Sequence, residues 1–304
     1  MVDQHVGVHA MSITPFDRSG AIDEGLVRAH VRFLADAGVG IYIASQGSGE
    51  GDLLSFDEKV ALYGIAADEV GGRVPVVAAG IGLAASTATT RALAISARDA
   101  GVDAVQIIAP RPGPLRLRDD EIESHFRSVI EAVDCDVHLS NNTALAGYEV
   151  PIALVERLVD DYPHVKTVNV SDPRVDELRA YVARLVERCG ARIEVRVGMV
   201  RQMAAMHALG VDGVLCFEPN VLPAIVTRAW DGVKAGAVDA MPALLRLNAA
   251  LARGGNPRSL KAALTILGRD GGCLRAPYLP LTDAQHAELG EELRVLAPAG
   301  RSGY

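Results

Sequence analysis

The chain has 304 residues, of which 49% are hydrophobic, and its formal net charge at pH 7 is −8. This length and hydrophobic content are sufficient for the buried core of one α/β barrel with a short extension. The negative charge and the absence of a basic stripe argue against nucleic acid or an anionic membrane as a partner.

Eight short segments rich in Val, Ile and Ala predict β-strands. They begin roughly 20 to 35 residues apart, which is the span of one strand followed by one helix. Most are apolar throughout, as is typical of parallel strands that helices cover on both faces. The segments are residues 6–13, 38–45, 74–82, 103–110, 136–142, 165–171, 192–198 and 213–220.

Segments with helical spacing separate these strands. In residues 26–38, 88–101 and 154–162, for example, apolar residues recur every three or four positions. Several such segments end in glycine, which is a common helix C-cap. Eight strand-helix units predict an α/β fold in which residues 1–236 form a (β/α)8 TIM barrel. An open, doubly wound sheet is the alternative.

Three more helical segments follow the eighth unit. Turn-forming residues at Gly254–Pro257 and Pro277–Pro280 separate them. We therefore expect residues 237–304 to form a C-terminal three-helix extension that packs on the barrel. The helical segments are residues 237–253, 259–268 and 283–297.

The remaining features of the composition predict no metal, no cofactor and no membrane segment. The four cysteines lie apart without a C-x-x-C pair, so we expect ordinary thiols instead of a zinc site or disulfides. No stretch approaches the roughly 18 uninterrupted apolar residues of a spanning helix. The first residues lack the pattern of a signal peptide, and we expect a cytoplasmic protein.

Short motifs stand at particular places in this alternation of strands and helices. They are Thr14-Pro15-Phe16 after the first strand, Gly47-Ser48-Gly49-Glu50 after the second, Gly101-Val102-Asp103-Ala104 before the fourth, and Ser259-Leu260-Lys261 in the extension. Together they resemble the dihydrodipicolinate synthase and N-acetylneuraminate lyase family over nearly the whole chain. The resemblance implies a homo-oligomer, a tetramer or dimer, with a pocket for a small keto acid or related carboxylate at the C-terminal mouth of the barrel.

The chemistry of that family depends on residues that this chain lacks. Family members form an imine between a lysine on the sixth strand and the ketone of pyruvate. The resemblance places Asn169 at that position, and an amide cannot form an imine. Ser140 stands where the family has a proton-relaying tyrosine, and a serine hydroxyl is a far weaker acid than a phenol. Arg111 replaces a second relay tyrosine, and Leu145 replaces an arginine found in some synthases.

None of the four lysines is expected to replace the missing amine. Lys166 lies three positions before Asn169, and odd separations along a strand point to opposite faces. Lys166 should therefore face the helices or lie at the bottom rim. The other three, in helices far from the mouth, are Lys59, Lys234 and Lys261.

Alternation along the fifth and sixth strands predicts a polar lining inside the barrel. We expect Ser140 and Asn169 to act in catalysis. His138 is a candidate acid or base, with a hydrogen-bonded core histidine as the alternative. The residues on these inner faces are His138, Ser140 and Asn142 on the fifth strand, and Thr167, Asn169 and Ser171 on the sixth; Asn142 and Ser171 are candidates for substrate binding.

The loop after the second strand is a candidate carboxylate-binding site. Its residues Gly47, Ser48 and Gly49 could offer backbone N–H groups, because glycine permits the close approach that such a nest requires. A plain turn is the alternative.

Charged residues near the predicted pocket offer further candidates. Glu194 and Arg196 share the inner face of the seventh strand, so either they form an ion pair or Arg196 binds an anionic ligand. Arg111 is a second candidate for binding the substrate. Glu218 is a candidate general base, with a solvent-facing loop residue as the alternative.

Three functions are consistent with this sequence. The first is a lyase, dehydratase or isomerase that acts on a small keto acid or related carboxylate through hydrogen bonds, without a Schiff base. The second is a catalytically silent scaffold that binds a metabolite or a partner protein. The third, a class I pyruvate aldolase or synthase, would require a lysine where the resemblance places Asn169. The polar lining favours the first.

Overall fold

The computed structural model describes residues 6–113 and 116–297. Within them, eight parallel strands form a closed barrel, in which each strand pairs with its neighbours in sequence and β8 pairs with β1. The (β/α)8 TIM barrel is thereby confirmed. The strands are β1 Val8–Met11, β2 Gly40–Ile43, β3 Val76–Gly82, β4 Ala104–Ile108, β5 Asp136–Asn142, β6 Val165–Ser171, β7 Glu194–Val197 and β8 Gly213–Cys216.

Helices surround the barrel and form the C-terminal extension. Among the described residues, no helix is long and apolar enough to cross a membrane. The helices around the barrel are α1 Glu24–Asp36, α2 Phe56–Val70, α3 Thr87–Asp99, α4 Asp119–Ile130, α5 Thr143–Ala146, α6 Ile152–Asp161, α7 Val175–Cys189, α8 Met203–His207 and α9 Pro223–Lys234. The extension consists of α10 Met241–Gly254, α11 Arg258–Ile266 and α12 Asp283–Leu296.

Helix α1 shows why these segments form helices and pack on the strands. The Asp23 side chain accepts a hydrogen bond from the backbone N–H of Leu26 at 3.0 Å, which satisfies one of the free donors of the first turn. Val27, Val31 and Leu34 are spaced to share one face and are fully buried. Burying this apolar stripe fixes the helix against the barrel.

Strand ends are where the structure differs from the sequence prediction. The fifth and sixth strands match the predicted residues 136–142 and 165–171, but the eighth ends at Cys216 instead of residue 220. Residues Glu218–Asn220 form a short 3₁₀ turn instead. Pro219 lacks the backbone N–H that a central strand must donate, which is consistent with this early end.

The extension is joined to the barrel by a buried ion pair. The Lys261 ammonium in α11 lies 2.5 Å from a carboxylate oxygen of Glu50, which follows β2. Helices α9 and α10 lie on either side of the predicted division after residue 236. Residues 298–304 of the predicted extension lie outside the described residues.

Candidate active site

The barrel contains two cavities, one at each end. The mouth cavity, at the C-terminal ends of the strands, has a volume of about 90 Å³ and is lined by residues that include Gln46, Gln106, Ser140, Asn142, Asn169 and Ser171. The lower cavity, at the N-terminal ends, measures about 660 Å³ and is lined by residues that include His138, Thr167, Glu194 and Arg196. No Asp, Glu, His, Lys or Arg occurs among the described residues that line the mouth cavity.

The predicted inner faces of β5 and β6 are confirmed, and they divide between the two cavities. Ser140 pairs in register with Asn169, and both line the mouth cavity. His138 pairs with Thr167, and both line the lower cavity. The neutral side chains of Ser140 and Asn169 therefore lie at the mouth, whereas the His138 imidazole lies at the opposite end of the barrel.

A tyrosine between the two cavities connects these groups. The Tyr42 hydroxyl lies 2.6 Å from Nδ1 of His138, and it accepts hydrogen bonds from Nδ2 of Asn169 at 3.1 Å and from Nη1 of Arg196 at 3.0 Å. Because the two N–H groups can only donate, the single phenol proton is directed to Nδ1 of His138. His138 therefore carries its own proton on Nε2.

Both members of this short hydrogen bond are neutral near pH 7. Burial is the main cause that raises the pKa of Tyr42, although the Arg196 guanidinium opposes it. Burial also holds the pKa of His138 well below its usual value, and Arg196 lowers it further. The network is therefore a set of neutral groups around one guanidinium.

Tyr42 is not among the site residues predicted from the sequence, although its position in β2 contains a signal. In β2, Ile41 and Ile43 pack in the main core between strands and helices, whereas Tyr42 belongs to a small cluster inside the barrel. The period of two along a strand would have assigned its side chain to the interior. The same period in β4 would have identified Gln106, which lines the mouth cavity.

Arg196 follows the first of its two predicted alternatives. Its guanidinium forms an ion pair with Glu194 and donates to Tyr42, and the side chain lines the lower cavity. Only 3% of Arg196 is exposed, and a charge so deeply buried requires such partners. Arg196 is absent from the mouth-cavity lining, so the prediction that it binds substrate there is not supported by its position.

Glu218 is not among the described residues that line the mouth cavity, and its burial shows that the solvent-facing alternative is wrong. It is fully buried under the extension, where Oε1 accepts a hydrogen bond from Nδ2 of Asn248 at 2.6 Å. Its other oxygen, Oε2, has no hydrogen-bond partner among the described residues. Burial raises the pKa of this carboxyl group.

Replacing Glu218 with glutamine should stabilise the protein increasingly as pH rises. Above the usual glutamate pKa, the unfolded chain releases this proton while the folded protein retains it, so stability falls with pH until the raised folded pKa is passed. Glutamine keeps the acceptor for Asn248 without that cost. Melting curves of E218Q and the parent between about pH 5 and pH 8 measure the difference. The exposed change Glu291→Gln is the control, and a difference that is independent of pH would contradict the assignment.

The loop after β2 places only part of its predicted site at the cavity. Gly47 lines the mouth cavity. The Ser48 hydroxyl accepts a hydrogen bond from Nδ2 of Asn256 at 2.7 Å, and the Gly49 carbonyl accepts one from Thr14 at 2.7 Å. A Cβ atom at Gly49 would lie 2.7 Å from the backbone nitrogen of Ser45, so this tight turn requires glycine. The Gly49 N–H donates to Oγ of Ser45 at 3.2 Å, and Ser48 and Gly49 are not among the described residues that line the mouth cavity, so their role in binding a carboxylate stays a prediction.

The remaining candidates lie at the edge of the mouth cavity. Asn142 lines it and also caps α5, accepting a hydrogen bond from the backbone of Leu145 at 3.1 Å. Arg111 is exposed, and its Nη1 donates to the Leu145 carbonyl at 3.2 Å. Leu145 lines the cavity, so Arg111 is one residue removed from it.

None of the four lysines is among the described residues that line the mouth cavity. Lys261 donates to the carbonyls of Thr14 and Cys273 as well as to Glu50, so all three of its N–H bonds are engaged. The other three are Lys59, which donates to the Gly80 carbonyl at 3.1 Å, Lys166, which lines the lower cavity, and Lys234, which pairs with Asp231 at 2.9 Å. Within residues 6–113 and 116–297, no three His, Cys, Asp or Glu side chains converge as a metal site would require.

Comparison with known proteins agrees with the fold. Residues 4–296 match the model of the dihydrodipicolinate synthetase family. The chain is 31% identical over 283 residues to the 4-hydroxy-tetrahydrodipicolinate synthase of Pelobacter propionicus, covering 91% of this chain and 93% of that one. It is 32% identical over 295 residues to the synthase of the same name from Sorangium cellulosum, covering 95% of both.

Solved structures give the same result. The chain superposes with a TM-score of 0.85 on a prophage protein of the dihydrodipicolinic acid synthase family from E. coli K12, determined in complex with pyruvate. The two are 25% identical, over 96% of this chain and 98% of that one. Because the family model and these relatives match nearly the full length of the sequence, the chain belongs to the dihydrodipicolinate synthetase family.

Proposed function

We propose that the chain binds a small keto acid or related carboxylate in the mouth cavity and acts on it without a covalent imine. The observation that carries this proposal is the position of Asn169, whose side chain lines the cavity while all four lysines are engaged or located elsewhere. A cavity of about 90 Å³ holds about three water molecules, which suits a ligand of a few heavy atoms.

The hydrogen bonds available at the cavity define the chemistry that it can support. The Ser140 hydroxyl and the Asn169 amide can donate to a ketone or carboxylate oxygen and polarise it. The Asn169 side chain is held by Tyr42, so its position is set before a ligand binds. These groups favour lyase, dehydratase or isomerase chemistry by carbonyl polarisation, our first candidate.

A silent scaffold that binds a metabolite is the second candidate, and one observation favours it. The mouth cavity has no ionisable side chain among its described lining residues, and the nearest phenol and imidazole, Tyr42 and His138, are neutral and buried. General acid–base catalysis normally uses a group whose pKa is close to the working pH. Incubating the protein with a bound keto acid and following the ligand by proton NMR separates the candidates, because only an enzyme converts it.

Trapping with borohydride tests the absence of an imine. After incubation with pyruvate and borohydride, the intact mass of the protein should show no pyruvate-sized addition, because no described amine reaches the cavity. The matched variant Asn169→Lys restores an amine to the cavity lining and should gain one such addition. An addition on the unaltered chain would refute the non-covalent proposal.

A thermal-shift series tests ligand binding itself. A keto acid that binds only the folded state stabilises it, by about 2.7 kcal/mol at a concentration one hundred times its Kd. This stabilisation raises the melting temperature. Pyruvate and its larger keto-acid homologues form the series, and Ser140→Ala, which removes one proposed donor, is the control variant. If no keto acid shifts the melting temperature, the binding proposal fails.

We also propose that the chain forms a homo-oligomer of two or four copies and that it is located in the cytoplasm. Light scattering would test the number of copies, and cell fractionation would test the location.

A further inference from the structure

The lower cavity is the larger of the two cavities in the barrel, and the proposed function does not use it. Its volume of about 660 Å³ lies within the range of about 300–1,000 Å³ that is typical of small-molecule sites. It opens at the N-terminal ends of the strands, away from the mouth cavity. A ligand bound there would therefore not compete directly with a keto acid at the mouth.

Two buried polar side chains, those of Thr167 and His138, line this cavity. Thr167 is 1% exposed, and its hydroxyl can both donate and accept a hydrogen bond. His138 is 6% exposed, and because Nδ1 accepts the Tyr42 proton, the remaining nitrogen is an Nε2–H donor. Buried donors of this kind normally have a partner, so the depth of the cavity is suited to ligand oxygen atoms.

The charged side chains at the rim of the lower cavity determine which charge on a ligand is favoured there. The lining contains one ammonium, that of Lys166, two guanidinium groups, those of Arg192 and Arg196, and four carboxylates, those of Asp103, Asp136, Glu194 and Asp212. The two guanidinium groups are already engaged, because Arg196 pairs with Glu194 and Arg192 pairs with Asp160. Burial raises the pKa of Asp136; the Lys166 ammonium opposes this rise, and the Asp103 and Glu194 carboxylates add to it. An additional cation at the rim would relieve this repulsion.

We propose that the lower cavity is a second binding site, for a small organic ammonium compound that also carries hydroxyl groups. The ammonium lies between Asp103 and Asp136 at the rim. The hydroxyl oxygens accept from Nε2 of His138 and exchange hydrogen bonds with Thr167 at depth. A carboxylate ligand is disfavoured there, because it would meet the rim carboxylates.

Calorimetric titration of the full chain with a matched pair of probes tests this site. The probes are glucamine, 1-amino-1-deoxy-D-sorbitol, and D-sorbitol, which differ in one group, an ammonium against a hydroxyl. Glucamine should bind at least about tenfold more tightly than sorbitol, because a charged hydrogen bond at the rim is lost in sorbitol. Equal binding of the two, or binding of neither, would overturn the proposal.

Two variants locate the binding at the cavity. Asp136→Asn keeps the shape of the rim but removes one charge, and should weaken glucamine about fivefold or more. Thr167→Val removes the deep hydroxyl at nearly constant volume, and should weaken it less. Glu291→Gln, on the exposed face of α12, is the control for net charge and should leave the affinity unchanged. Equal losses in Asp136→Asn and Glu291→Gln would assign the binding to the general negative charge of the protein, and no loss in Asp136→Asn would place it outside this cavity; either result would overturn the proposal.

Discussion

Replacing Lys261 with methionine should lower the free energy of unfolding by about 3–5 kcal/mol, the cost of leaving one member of a buried ion pair without its partner. The pair is almost inaccessible to solvent, since the side chains of Lys261 and Glu50 are 4% and 0% exposed. Without the ammonium, the donor that the Glu50 carboxylate keeps among the described residues is the backbone N–H of Arg275, at 2.9 Å. Urea unfolding followed by circular dichroism measures the loss.

Two further variants separate the burial of the pair from the loss of a positive charge. Lys234→Met removes an ammonium that is 50% exposed and paired with Asp231, and should cost no more than about 1 kcal/mol. The double variant E50Q/K261M removes both charges and should recover part of the stability lost in K261M. A loss in K261M as small as that in K234M would contradict the importance of the buried pair.

Replacing Tyr42 with phenylalanine should have the second largest effect, about 3 kcal/mol, because one hydroxyl serves three buried partners. Its removal leaves Nδ1 of His138, Nδ2 of Asn169 and Nη1 of Arg196 without this contact. Because Asn169 is then less firmly held, keto-acid binding at the mouth should weaken as well. Urea unfolding and the thermal-shift series measure the two effects.

Another buried tyrosine provides the control. The Tyr63 hydroxyl donates one hydrogen bond, to the Ala79 carbonyl at 2.6 Å. Tyr63→Phe should therefore cost about 1–2 kcal/mol and leave keto-acid binding unchanged. If Y42F loses no more stability than Y63F, the three hydrogen bonds at Tyr42 do not act as the proposed network.

Much of the fold could be predicted because it follows from local periodicity. The strand segments predicted at 136–142 and 165–171 have the correct bounds of β5 and β6. The period of two also placed Ser140, Asn169 and His138 inside the barrel. These features depend on neighbours along one strand, and the sequence contains that information directly.

The parts that could not be predicted depend on contacts between residues far apart in the chain. Tyr42 meets Asn169 across 127 positions, and Glu218 meets Asn248 of the extension across 30. A motif in one segment of the chain does not show which residue of a distant segment will pack on it. For this reason the sequence around Glu218 does not show that packing of α10 buries its side chain completely.

The fully buried ring of Tyr42 lies between the two cavities and is hydrogen-bonded to a wall residue of each. Together with the apolar side chains packed around it, this ring fills the barrel between the two cavities and separates the solvent at one end from the solvent at the other. The hydroxyl of this single phenol thus provides a direct hydrogen-bonded path from a wall residue of one cavity to a wall residue of the other.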